Sequence, residues 1–150
     1  MSRIAEVIVL AQDAEEVMEP LTRPDPARTW QGCFAAMSPV GTSGFGWGTE
    51  FGRVGSRSGL LEHLESLPWP RPETVQILIH DEEDDCFGLW MIHDGRLVEV
   101  PLPRTRRAWW SGPPKAGAAP DPGILRRTDC RPVTWPEETG ADHQPRPPAW

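Results

Sequence analysis

Asp81-Glu82-Glu83-Asp84-Asp85 sets five carboxylates in an unbroken row, the densest chemistry in a chain of 150 residues. Carboxylates hold hard cations, but a calcium loop needs oxygen ligands at alternating positions, a glycine and a distal Glu over about 12 residues. This run has none of that spacing. It reads as a hairpin turn, either plainly solvated or presented as an acidic knob to a basic protein. In the second case charge would raise association rate and specificity. His80 and Cys86 flank the run and His93 follows it. Such a set falls short of the four tightly spaced ligands of a closed zinc site. Cys86 with His80 or His93 has the composition of a nucleophile–base pair, but no G-x-S-x-G elbow or similar motif exists. A packed cross-strand His–Cys pair is the simpler reading, and no catalytic residue, metal or cofactor is expected.

The second unusual segment is Gly41–Gly55, with six glycines in 15 residues and Phe45, Trp47 and Phe51 spaced through it. No Gly-Lys-Ser/Thr follows, so it is not a P-loop. The residue three after Gly48 is Phe51, so it is not G-x-G-x-x-G either. Two readings stay open. The segment is a loop that closes over a pocket or presents Phe45 and Trp47 to a partner, or it is a bulged hairpin whose aromatics fill the core.

The elements that must position these residues are legible in outline. Ile4–Leu10 is a strand. Asp13 and Glu16 form a capping-box-like pair before a short helix over Ala14–Met18, which Pro20 ends. Trp30–Met37 is a strand bounded by Ser38-Pro39, and Phe51–Val54 is another. Ser56 or Ser58 caps a helix running to Leu67, in which Leu60, Leu61, Leu64 and Leu67 make one apolar face. Val75–Ile79, Phe87–His93 and Leu97–Val100 form an antiparallel meander, with Asp94-Gly95 as a type I′ turn. The result is an α+β fold, a small two-layer sandwich with an antiparallel sheet and one or two helices on one face. A ferredoxin-like strand order is one way to connect it.

Composition divides the chain at about residue 102. Of 18 prolines, ten lie in 103–150, and no periodic apolar stripe appears there. Residues 1–102 therefore read as one domain and 103–150 as a proline-rich, disordered tail that folding does not need. Residues 1–102 hold seven Arg and 17 acids; 103–150 hold eight bases and five acids. An acidic domain repels phosphate backbones, which argues against nucleic-acid binding by the folded part. The basic tail is suited to touch that domain or an acidic partner. Trp109, Trp110, Trp135 and Trp150 in the tail have two open readings: anchors to a partner or to the domain itself, or drift in a tail under weak selection. Three scattered cysteines, Cys33, Cys86 and Cys130, make a poor disulfide framework and favour a reducing compartment. The first ten residues lack a signal-peptide pattern, and no stretch reaches the length of a membrane span. A soluble, cytoplasmic protein is expected.

Leu67-Pro68-Trp69, then Pro72-Glu-x-Val-Gln-Ile-Leu-Ile79, then the acidic turn to Phe87, resembles a pattern in small uncharacterised bacterial proteins, mainly of high-GC genomes and their phages. Fourteen Arg against one Lys agrees with that setting. The resemblance covers residues 55–101, implies a helix–turn–hairpin, and carries over no functional residue. Two functions follow as expectations. The first is a non-enzymatic protein-binding protein, an immunity-type or phage-defence-related antagonist. It would engage a basic protein through an acidic surface, with Asp81, Glu82, Glu83, Asp84, Asp85, Phe45 and Trp47 as contact residues. The second is a small ligand-binding or enzymatic domain with a pocket under the Gly-aromatic loop, lined by Trp47, His80 and Trp90.

Overall fold

The structure, a computed structural model, describes residues 2–37, 45–108 and 123–130. In chain order it has β1 (Ser2–Leu10), α1 (Glu15–Met18), β2 (Ala35–Met37), β3 (Gly46–Arg53), α2 (Leu60–Ser66), β4 (Gln76–Asp81), β5 (Gly88–His93), β6 (Arg96–Val100), β7 (Thr105–Ala108) and β8 (Ile124–Arg127). Short 3-10 turns follow α1 (Glu19–Thr22) and precede α2 (Val54–Arg57). Six strands form one antiparallel sheet in the order β2-β3-β1-β4-β5-β6. The first four follow the order and directions of a ferredoxin-like split β-α-β pair, and β5 and β6 extend it at the β4 edge. This is the expected α+β class.

The helices cover one face of the sheet. Alternation along β1 turns Ala5, Val7 and Val9 to that face, and register adds Trp47 and Phe51 from β3, Ile77 from β4 and Trp90 from β5. Leu60 and Leu64 of α2 close over them, with Leu61 and Leu67 packed alongside. Trp30 sits at the centre, fully buried, edge-on to Phe34 and Phe51 at centroid distances of 5.8 and 6.2 Å. Its placement corrects one expected strand. Residues 30–34 form an irregular segment, because the indole turns into the core, and only 35–37 pair with β3.

The helix starts also differ from expectation. No side chain caps α1 or α2. Asp13 takes a left-handed φ of 55° instead of capping, a conformation Asp tolerates. The residue before α2 is Gly59, at φ 77°, and a Cβ there would lie 2.4 Å from Thr29 Oγ1. The other end of α2 is closed by Trp69, whose Nε1 donates to the Leu64 carbonyl at 2.7 Å. The hairpin at Asp94-Gly95 is as expected, with φ of 49° and 73°.

Order continues past residue 102. β7 and β8 pair antiparallel, and Ile124 and Leu125 are buried. The expected boundary therefore cuts through ordered structure. The Trp109, Trp110, Trp135 and Trp150 readings fall outside the described residues.

Leu64 is fully buried at the middle of the core-facing stripe. Leu64→Ala should cost about 2–5 kcal/mol in chemical denaturation, the range for a core leucine that leaves a cavity.

Candidate functional site

The acidic turn joins β4 to β5, but it is not a solvated knob. Asp81, Asp84 and Asp85 are 2%, 9% and 6% exposed. Asp81 lies on the core side of β4 and bridges two guanidinium groups, Arg3 of β1 at 2.5 Å and Arg57 from the turn before α2. Asp84 accepts from the backbone N–H of Leu125 at 2.7 Å and of Asp81 at 3.0 Å. Asp85 accepts from the backbone N–H of Arg127 at 2.8 Å and meets Arg126 at 3.4 Å. The Asp85 N–H in turn donates to the Leu125 carbonyl. Only Glu82 stays exposed, and its own side chain accepts from the Ile4 N–H at 3.1 Å. Glu83 is half-buried.

The run is therefore the socket for the β7–β8 ribbon, and the contact named for the acidic knob is internal at three of its five positions. Arg107 of β7 completes the seat. Its guanidinium donates to Glu99 of β6 at 2.6 and 2.9 Å, lies 3.9 Å from Asp84 and stacks 5.3 Å from the Trp90 ring. Gly88 makes room for it, since a Cβ there would stand 2.8 Å from both Arg107 Nη2 and Trp90. Burial pushes the Asp84 carboxyl above the ordinary range, against the opposing pull of the Leu125 and Asp81 N–H groups and of Arg107. At the end of β8, hydrogen bonds from Arg127 hold Asp129 down at about 2.

The Gly-aromatic segment, in its described part, is a strand with aromatics inward. Trp47 and Phe51 enter the core, and Phe45 alone is exposed, at 48%. Gly46 and Gly48 face the other side, where Leu10 and Met37 lie over them. Residues 41–44 fall outside the described residues. Trp47 and Trp90 lie on the core face and His80 on the opposite one, so these three line no common pocket. Cys86 is buried, and burial pushes its thiol up, away from nucleophilic chemistry. His80 stacks on Phe87 at 5.0 Å and its Nε2 meets the Asp84 carbonyl at 3.1 Å. His93 stands exposed at the far end of β5. The His–Cys set thus does not converge.

A cleft that the sequence reading missed lies between α1 with its following turn and α2. It encloses about 240 Å³, and its lining includes Glu16, Val17, Leu21, Asp25, Arg28 and His63. Arg28 is engaged in structure: it donates to the carbonyls of Arg23 at 2.6 Å and Gly32 at 3.0 Å, and its guanidinium lies 4.1 Å over Trp30. Trp30 Nε1 donates to His63 Nδ1 at 2.8 Å. A neutral His63 therefore carries its proton on Nε2, making it a donor there rather than a base. Desolvation first, then the Arg28 charge, hold His63 below the usual histidine value. Glu16 and Asp25 remain open to solvent at the rim. One signal for this cleft was present in the sequence: Asp13, Glu15, Glu16, Glu19 and Asp25 crowd into 13 residues.

Comparison of the chain with protein-family models, with curated proteins and with solved structures finds no match. Among the described residues no helix is long and apolar enough to cross a membrane.

Two outcomes follow from the ribbon and from His63. Truncation after Pro103 removes the donors that Asp84 and Asp85 accept from, so melting temperature should fall by about 5 °C or more. An unchanged melting point would show that water replaces the ribbon without loss. For His63, the folded value lies below the unfolded 6.5, so the unfolded chain binds more protons and stability falls as pH drops through that value. Protonation also breaks the bond from Trp30. His63→Gln keeps an acceptor for Trp30 and should flatten stability between pH 7 and pH 5, measured by urea denaturation across that window.

Proposed function

We propose that this is a non-enzymatic protein-binding protein that acts on a basic partner through an acidic surface, and that the surface is the α1–α2 cleft. One observation carries this reading. Glu16 and Asp25 flank a cleft whose lining includes Val17, Pro20, Leu21, Leu67 and Pro68. Glu15 of α1, Glu19 of the turn after it and Glu62 of α2 stand exposed on the same elements. An apolar floor with a carboxylate rim suits the long stem and charged head of an Arg or Lys side chain. The stem buries while the head meets the rim, and the surrounding negative field steers a basic protein toward it.

An immunity-type or phage-defence-related antagonist would work this way, covering a basic site by shape and charge with no reaction of its own. The kinship with small proteins of high-GC bacteria and their phages belongs to the same proposal. So does a reducing, cytoplasmic setting, which the free state of Cys33, Cys86 and Cys130 supports.

The test begins with capture of a partner from the native host at low salt. Glu16→Lys with Asp25→Lys should then slow association about tenfold or more and flatten its salt dependence. Glu82→Gln with Glu83→Gln should leave the rate near wild type. An unchanged rate in the first variant, with the fold intact, would overturn the reading.

A further inference from the structure

The face of the six-stranded sheet opposite the helices is apolar, and among the described residues nothing covers it. Alternation and register bring Ile8 and Leu10 of β1, Leu78 of β4, Leu89 and Met91 of β5 and Val98 of β6 onto it. Val98 is 47% exposed, and Ile4 and Met37 on the same face are exposed too. Within the two central rows Gln76 is the single polar side chain. The strands themselves are apolar on both sides: Val7-Ile8-Val9-Leu10, Ile77-Leu78-Ile79 and Leu89-Trp90-Met91-Ile92. Runs of that kind belong to strands buried on both faces, whereas a half-solvated antiparallel sheet alternates apolar with polar.

We infer that a second copy of this chain occupies this face, the two sheets stacking through a two-fold axis. Size is the first argument. At about 4.8 Å between strands and about 3.3 Å per residue the face measures about 29 by 20 Å. Two such faces stacked remove about 1,200 Å² from water, the lower bound for a specific interface. A single apolar patch of that extent, about 580 Å², stands at the upper end of what a monomer leaves open, where such patches are often functional. Flat sheet faces also pack naturally on one another, with interdigitating side chains about 10 Å apart.

Charge sets the geometry. The carboxylates of this face, Glu6 and Glu50, sit together at one end, on β1 and β3. His93 and Arg96 pair at the diagonally opposite corner, on β5 and β6. Arg96 lies on the edge strand, where Glu65 of α2 in the helical layer meets it at 3.1 Å, but its side chain stays 78% exposed; His93 lies 3.4 Å from Asp94. From Glu50 to Arg96 is four strand intervals across and six residues along, about 19 by 20 Å. A two-fold axis perpendicular to that diagonal lays the acidic corner of one copy over the Arg96 corner of the other. The strands of the two sheets then cross near a right angle, the orthogonal class of sheet packing. The helical layers, with their clefts, face outward on both sides, so this assembly goes beyond the proposed partner binding and does not compete with it.

Sedimentation equilibrium of the full chain, between about 1 and 100 µM, tests this. The expected result is the mass of two chains at the upper end. Met91→Glu with Val98→Glu should weaken association about tenfold or more, while Glu62→Lys, on the helical layer, should leave it unchanged. Where the double variant fails to fold, the wild-type melting temperature decides, since that of a dimer rises with protein concentration. One-chain mass throughout with a concentration-independent melting point would overturn the inference. So would a dimer that survives the double substitution in a folded chain. A chain that is monomeric at full length and dimeric once 131–150 is removed would assign the face to its own C-terminal segment, and would overturn the inference as well. None of these outcomes depends on the α1–α2 cleft, whose reading stands or falls on its own partner.

Discussion

Three aspartates buried in one turn need partners, and much of the architecture answers that need. An isolated carboxylate in a low-dielectric interior is costly, and breaking a buried pair by removing one member costs about 3–5 kcal/mol. Asp81 answers it with Arg3 and Arg57, which ties the first strand and the turn before α2 to the end of β4. Asp84 and Asp85 answer it with the backbone of β8, which draws Leu125 and Arg127 against the sheet. Arg107 needs a seat of its own beside Glu99 and Trp90, and Gly88 provides the space. A run that looks like surface charge is thus the joint between the domain and the segment beyond it. The basic excess after residue 102 serves in part to complete that joint.

The second organising point is Trp30. It carries no strand of its own, yet Phe34, Phe51, His63 and Arg28 all pack or bond to it. Because its N–H takes the Nδ1 of His63, the ring of His63 is oriented and its proton placed. Because Arg28 lies over the indole and binds the carbonyls of Arg23 and Gly32, the loop between α1 and β2 is held closed. The walls of the cleft are therefore tied to the core by these contacts, and a preformed wall lowers the entropy cost of binding.

The two surfaces that remain differ in kind and lie on opposite layers. The helical layer is acidic with a small apolar floor, and the far face of the sheet is apolar with charges at two corners. Charge governs encounter and selectivity, while apolar area governs how much surface leaves water. The proposed partner site and the proposed dimer face therefore call on different physical terms.

Local sequence by itself determined the elements whose stability is local. The leucine stripe of α2 and the Asp94-Gly95 hairpin needed only the 3.6-residue period and the turn preference for positive φ. The α+β class followed from their order along the chain. Tertiary structure decided everything that depends on partners far away in sequence. Asp81 finds Arg3 across 78 positions, and Asp84 finds the Leu125 N–H across 41. No local window contains such a pair, so the acidic turn reads as solvated until the chain is closed. The inward turn of Trp30, the separation of His80 from Trp47 by the sheet itself, and the cleft between α1 and α2 are likewise products of packing. The uncovered sheet face was in part legible, since the strands are apolar on both sides. What covers each side is a property of the assembled layers, because a strand's own pattern records that a face is apolar and not what lies against it.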